Sequence, residues 1–215
     1  MAAVRAARGR FITLEGVEGV GKSTHLVFVA DCLRRAGKSV VMTREPGGVP
    51  IAERIREVLL ATDGQPMPPV SELLLMFAAR AVHLEQLILP ELDRGQWVVC
   101  DRFTDASYAY QGAGRGLPEA VIKDLEALVQ GRFRPDLTLL LDADWSTTRG
   151  RRDSRGVRDR FELEDAAFCE RVRAAYLARA RHDPVRMRII DASRTVDRIQ
   201  SDLAAVVADF VSISE

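Results

Sequence analysis

Phe11-Ile12-Thr13-Leu14-Glu15-Gly16-Val17-Glu18-Gly19-Val20-Gly21-Lys22-Ser23-Thr24 decides how this chain is read. An apolar, β-prone run leads into a glycine-rich turn, and a helical pattern follows. Gly16 to Ser23 fits G-x-x-x-x-G-K-[ST] at each fixed position. Glycines reach backbone angles that side chains forbid, so successive N–H groups can curl around a phosphate. The helix behind the loop points the positive end of its dipole at the same place. In such a loop Lys22 neutralises β/γ-phosphate charge and Ser23 offers a hydroxyl to Mg²⁺. Gly16, Val17, Glu18, Gly19, Val20, Gly21, Lys22, Ser23 and Thr24 are the expected ATP-phosphate contacts. A chance glycine-rich turn is the alternative, and the strand–loop–helix context argues against it. The loop specifies a nucleoside triphosphate and leaves the acceptor open.

Downstream, Leu26, Val29, Ala30 and Leu33 recur at helical spacing, and Gly37 stops the helix. Ser39 to Thr43 reads as a second buried strand. It ends at Arg44-Glu45-Pro46-Gly47-Gly48, where proline and two glycines force a turn. The polar residues before that turn fall at a strand's C-terminal end, the ligand-binding edge of open parallel sheets. Pro50 to Ala61 predicts a helix with Ile51, Ile55, Val58 and Leu59 on one face, and a loop follows from Thr62 to Pro69. Ser71 is placed to cap a long helix reaching about Arg94, with Leu73, Phe77, Leu84, Leu87 and Ile88 as its core stripe. Arg80 falls in that stripe. A cation on an apolar face needs an anionic partner, either an internal carboxylate or a ligand.

Trp97 to Asp101 predicts a third strand, apolar until it ends in a carboxylate that can serve a metal–phosphate site. Thr104 to Gln111 reads as helical, broken by Gly112-Ala113-Gly114-Arg115-Gly116. Pro118 opens another helix ending at Gly131, and Leu137 to Asp142 gives a fourth strand. Leu163 to His182 predicts a helix, Val185 to Asp191 holds the fifth strand, and Val196, Ile199, Leu203, Val206 and Phe210 stripe the closing helix. Strands alternating with helices predict one domain over residues 1–215 with a three-layer α/β/α architecture.

The chain is long enough for a sizeable core. Its 31 basic and 31 acidic side chains cancel, so no global charge favours a nucleic acid or membrane partner. Cys32, Cys100 and Cys169 are far apart and read as reduced thiols of a cytoplasmic protein. His25, His83 and His182 lack ligand spacing, so no zinc site is expected. Residues 1–10 read as a frayed terminus rather than a transit peptide. No apolar run approaches the roughly 20 residues that span a bilayer. Arg149 to Arg160 packs six arginines and two aspartates into twelve residues. A solvated basic face or a nucleic-acid patch is one reading, although the segment has almost no aromatics for stacking. Closure over a triphosphate to stabilise the moving phosphoryl group is the other.

Gly16–Ser23, Thr43-Arg44-Glu45-Pro46-Gly47-Gly48, Phe77-Ala78-Ala79-Arg80, Asp101-Arg102-Phe103, Ala109-Tyr110-Gln111-Gly112 and the basic lid follow one another in a specific order. Together they make the chain resemble the thymidylate kinases, within the P-loop nucleoside monophosphate kinases, from about Phe11 onward. The resemblance implies a parallel five-stranded sheet of order 2-3-1-4-5, transfer of the ATP γ-phosphate to dTMP, a Mg²⁺ cofactor and a homodimer packed through helices. It further implies that Glu18 holds the deoxyribose 3′-hydroxyl and that Arg44 and Arg102 grip the acceptor phosphate. Arg80 and Ser107 would face the thymine edge, and Tyr110, with Gln111 nearby, would lie against the sugar. Asp101 and Glu45 would join Ser23 in the metal and phosphate network.

The family's bacterial type with lid arginines also fits, because no arginine occupies the loop's variable positions. Arg151 and Arg155, in a lid over about 146–162, are then the expected catalytic arginines beside Lys22 and Arg102. Two departures stand out. The family's stacking aromatic sits four residues before the thymine-contacting arginine, where this chain has Met76, so either Phe77 or Met76 covers the base. Asp-Arg-His or Asp-Arg-Tyr is replaced by Asp101-Arg102-Phe103. The alternatives are a kinase for another nucleoside monophosphate or another small acceptor, and a P-loop switch that transfers nothing.

Overall fold

The computed structural model describes residues 8–62, 66–153, 160, 161 and 163–214, with the side chains of 151–153 outside that description. Its centre is set by three mostly apolar strands, β1 (Phe11–Glu15), β3 (Trp97–Asp101) and β4 (Leu137–Asp142), buried along nearly their whole length. Strands apolar on both faces must be covered on both faces, which is the condition of a parallel sheet flanked by helices. Five parallel strands run in the order β2-β3-β1-β4-β5, with β2 at Val40–Arg44 and β5 at Met187–Asp191. This is the expected order. Contrary to the expectation of a buried second strand, β2 is an edge, and Met42 is exposed.

Register brings the site together. Arg44 pairs with Asp101 across β2 and β3, and Leu14 pairs with Asp101 across β1 and β3. The polar strand ends therefore emerge along one edge of the sheet. On one side α1 (Lys22–Arg35) and α9 (Val196–Ser212) cover the strands. Their buried residues include Val29, Leu33, Ile199 and Leu203, which join Ile12, Val99 and Leu139 in the largest core cluster. On the other side, α3 (Pro69–His83) continues through a wide π turn (Leu84–Ile88) into α4 (Leu89–Asp93). Pro90 accounts for the wide turn: it has no N–H for the preceding turn, and its ring crowds that turn's carbonyl. The helix opens on Pro69 rather than on a Ser71 cap, because a proline at the first position is pre-set for helix and needs no donor there. By length and composition the stretch Pro69–Asp93 could cross a membrane. Glu72, Arg80 and His83 within it are buried and paired to other parts of the fold, as suits a core helix.

A second difference concerns Gly112 and Gly114. Both lie inside the helix begun by α5 (Thr104–Ser107), which continues as a π turn over Tyr108–Gly114 and ends only at Arg115, within the expected breaker stretch but three residues later. A Cβ at Gly114 would lie 2.6 Å from the Phe168 ring, so this glycine admits α8 (Ala166–His182). α8 begins three residues later than expected, at a cap in which Asp165 accepts from Phe168 N–H at 2.7 Å. The remaining helices are α2 (Pro50–Leu60), α6 (Glu119–Gln130) and α7 (Trp145–Asp153). In α2, Ala52 and Leu59 are buried while Ile51 and Val58 are exposed, so its apolar face is split between core and surface. Residues 8–10 are tied down rather than frayed: Gly9 N–H bonds Leu92 O at 2.9 Å and Arg8 pairs with Asp93.

Candidate active site

The phosphate loop leaves β1 through Gly16, whose φ of 135° no side chain adopts comfortably, and a Cβ there would meet Leu141 O at 2.4 Å. It enters α1 through Gly21, also left-handed, and no side chain caps the first turn of that helix. Those amides are thus presented to whatever the loop encloses. Lys22 folds back across the loop and donates from Nζ to the carbonyls of Gly16 and Val17, each at 3.1 Å. Burial pulls its pKa down to about 8, helped by the like charge of Arg102 and opposed by Asp101, Glu18 and Glu15. An anion in the loop would relieve that cost. Ser23 and Thr24 lie exposed on the first turn of α1.

Beside the loop lies a cavity lined by Glu18, Arg102 and Tyr110 on one side and by Met76, Arg80, Ser107 and Phe161 among others. Arg102 bridges loop and cavity. Its Nη1 donates to Gly16 O at 2.9 Å and its Nη2 to Glu18 Oε1 at 2.6 Å and Tyr110 Oη at 3.0 Å. Tyr110 in turn donates to Glu18 Oε2 at 2.5 Å. Burial raises the Glu18 pKa, but Arg102, Lys22 and the tyrosine bond outweigh it and hold the carboxyl below its usual value. Arg102 is the one non-glycine with a left-handed backbone among the described residues, φ 71°. That conformation costs about 1–2 kcal/mol and marks a position held by its surroundings.

Arg80 answers the question its sequence position raised. It is 2 % exposed and sits over the rings of Phe77 and Phe103, at 4.6 and 5.1 Å. Its Nε donates to Glu45 at 2.7 Å, so an internal carboxylate is its partner, and Nη2 reaches Ser107 Oγ at 3.1 Å. Its Nη1 is buried with no hydrogen-bond partner. In an enclosed site a leftover guanidinium donor marks a place for a ligand acceptor. The second oxygen of Glu45 meets His83 Nδ1 at 3.2 Å, and His83 Nε2 meets Thr43 Oγ1 at 2.7 Å.

Several candidate residues fall elsewhere. Phe77 does not line the cavity; it packs with Leu73, Tyr108 and Ile122 behind Arg80, and Met76 lines the cavity instead. The reason is helical phase, since one residue turns a side chain about a quarter of the way round. Arg44 ends β2 half exposed, bonded to Glu53 at 2.9 Å and outside the cavity lining. Glu45, proposed for metal, is occupied by Arg80 and His83. Asp101 keeps a buried Oδ1 without a partner. Ser23 and Asp101 therefore fit a Mg²⁺ that takes most of its ligands from phosphates and water, and Glu45 does not. Gln111 lines the cavity while donating to Glu72 at 2.7 Å. Arg155 and the side chain of Arg151 lie outside the described residues.

Residues given no role by the sequence also enter the site. Glu72, fully buried, accepts from Gln111, from Arg115 at 3.1 Å and from Arg160 at 2.7 Å. Phe161, next to Arg160, lies edge-on to Tyr110 with centroids 5.8 Å apart and closes the cavity. His83 was reachable as the polar residue three positions after Arg80 on one helix face. Glu72 carried no local signal.

A nucleotide loop, an adjoining buried cavity of acidic, basic and aromatic groups, and an arginine spanning the two define a P-loop phosphotransferase. The profile of the family "Thymidylate kinase" matches residues 14–203, and the chain belongs to that family. It is 55% identical over 201 residues to a thymidylate kinase of Alcanivorax borkumensis, covering 94% of this chain and 97% of the relative. It is 58% identical over 199 residues to one of Chromohalobacter salexigens, covering 92% and 94%. The crystal structure of thymidylate kinase from Ehrlichia chaffeensis superposes with a TM-score of 0.77 at 31% identity, covering 94% of this chain and 99% of that one.

Proposed function

We propose that this chain carries out its family's reaction, transfer of the ATP γ-phosphate to dTMP giving dTDP and ADP, with donor phosphates in the Gly16–Ser23 loop and dTMP in the adjoining cavity. The observation that carries the reading is Arg102, bonded at once to the loop carbonyl of Gly16 and to Glu18 and Tyr110 in the cavity. Phosphoryl transfer needs in-line placement and neutralised charge more than covalent help.

Lys22 leaves its two carbonyls for the β/γ-phosphates, and Arg102 turns its guanidinium to the acceptor phosphate, with Arg44 at the rim. Arg80 offers Nη1, with Ser107 beside it, to the thymine edge. Met76 lies against the ring as a soft apolar face. Glu18 takes the 3′-hydroxyl, and Tyr110, next to it, leaves no room for a ribose 2′-hydroxyl. Mg²⁺ bound between Ser23 and Asp101 would neutralise phosphate charge. Arg151 and Arg155 complete the charge stabilisation, and no general base is needed, because the acceptor is an ionised phosphate.

We assign the chain to the cytoplasm as a single kinase domain and a homodimer. The exposed Val58 of α2 and Val70 and Leu74 of α3 support helix packing between copies; light scattering at twice the monomer mass tests this. The function itself is tested by incubating the protein with ATP, Mg²⁺ and each nucleoside monophosphate. Rapid dTMP turnover with AMP, GMP and UMP nearly inert is expected, and the reverse pattern would contradict it.

A further inference from the structure

Glu15 and Tyr176 take no part in the reaction as described, yet both are bonded to the turn that carries Arg102. Glu15 ends β1 with no exposed surface, and Tyr176 reaches it from α8 at 1 % exposure. Glu15 Oε1 accepts the N–H of Phe103, the residue after Arg102, at 2.7 Å. Glu15 Oε2 accepts from Tyr176 Oη at 2.6 Å. The same tyrosine oxygen accepts from Arg102 Nη1 at 3.2 Å. One carboxyl thus secures both the backbone that follows Arg102 and, through Tyr176, the side chain itself.

The arrangement has a cost that packing alone would avoid. A buried carboxyl with two donors gives up its hydration, whereas an apolar pair would fill the same space without that loss. Arg102 also holds a left-handed backbone, which persists only where neighbours over-determine it. Glu15 supplies that determination from β1, and Tyr176 supplies it from α8. With Nη1 fixed on Gly16 O and Tyr176, the Nη2 edge is the one turned toward Glu18, Tyr110 and the cavity.

We propose that Glu15 and Tyr176 are positioning residues for the phosphoryl acceptor, holding the Arg102 turn so that its guanidinium faces the acceptor cavity. The proposal rests on the acceptor-phosphate role given to Arg102. A purely structural tie between α8 and the sheet would change stability and leave substrate kinetics alone.

The test is steady-state kinetics of the full chain with ATP and dTMP varied separately, beside thermal melts. Tyr176→Phe keeps the ring packing and removes the hydroxyl. It is expected to raise the dTMP KM about tenfold, equivalent to about 1.4 kcal/mol, with the ATP KM within about twofold. Glu15→Gln keeps an acceptor for Phe103 N–H and a polar partner for Tyr176. It is expected to stay within about threefold of wild type, while Glu15→Ala loses at least as much as Tyr176→Phe. In an Arg102→Lys background, Tyr176→Phe should add little further loss. If Arg102→Lys raises the dTMP KM and Tyr176→Phe leaves it unchanged, the positioning role is overturned. If Arg102→Lys leaves that KM at its wild-type value, the acceptor role of Arg102 falls and the proposal with it. Should Glu15→Ala not fold, Tyr176→Phe and Glu15→Gln carry the result.

Discussion

The phosphate loop draws on consecutive residues, Gly16 to Ser23, and works mainly through backbone amides and glycine conformations. The acceptor cavity collects side chains from the loop, the end of β2, α2, α3, the end of β3 and the π turn, and works through buried charges. The two meet at Arg102. In the loop the backbone angles of Gly16, Gly19 and Gly21 and the side chain of Lys22 carry the function. The cavity depends on long-range pairs such as Arg80–Glu45 and Arg102–Glu18, so losing one member strands another in a low-dielectric interior.

The largest effect separates the regions outright. Lys22→Ala is expected to lower kcat by roughly 10³ or more, on the scale of removing a preorganised charge stabiliser, with dTMP affinity retained. Loss of dTMP binding in equal measure would join what the comparison keeps apart. Arg151→Ala and Arg155→Ala should each lower kcat by roughly 10²–10³ and leave the dTMP dissociation constant near wild type; an effect confined to KM would assign them to binding instead.

Arg80→Met acts on the cavity side alone. It leaves the Glu45 carboxylate buried with only His83, at a cost of about 3 kcal/mol, or roughly 6–12 °C in Tm for a chain of this size. Differential scanning calorimetry measures this, and an unchanged Tm would mean that the pair is not needed for folding.

How far each region could be read from sequence follows the same division. Loop, strands and most helices were legible because their signals are local: glycine spacing, apolar runs and period, whereas the strand order followed only from the family resemblance. The π turns were not. Gly112 and Gly114 look like breakers, and only the approach of Phe168 shows that Gly114 serves packing. Arg80 was legible as a buried cation, whereas its partner Glu45 lies 35 positions away and became visible only in the fold. Phe77 and Met76 differ by one residue, too fine a distinction for periodicity alone to decide. Met76→Ala should therefore weaken dTMP binding by about 1–2 kcal/mol with little loss of Tm, and Phe77→Ala should mainly destabilise, by about 3–5 kcal/mol. Calorimetry of both variants separates the roles.

A smaller effect concerns pH. Burial, with the Asp105 charge added, pushes the Glu15 pKa up to about 8 from 4.5. Between those values the folded chain keeps a proton that the unfolded chain releases. This contribution is therefore full below pH 4.5 and is lost as pH rises through 8. Wild-type Tm should fall more from pH 5 to pH 8 than that of Glu15→Gln. Above pH 8 the depressed Lys22 acts in the opposite direction, because there the folded chain has released a proton that the unfolded chain still holds.

The meeting point of the two regions is tested most directly by calorimetry of Arg102→Ala with dTMP and, separately, with a non-hydrolysable ATP analogue. An arginine that grips the acceptor phosphate predicts dTMP binding weakened by roughly 10²-fold, the scale of charge-assisted hydrogen bonds, with the ATP analogue bound within about twofold of wild type. Unchanged dTMP affinity, or an equal loss for both ligands, would contradict the assignment of donor to loop and acceptor to cavity.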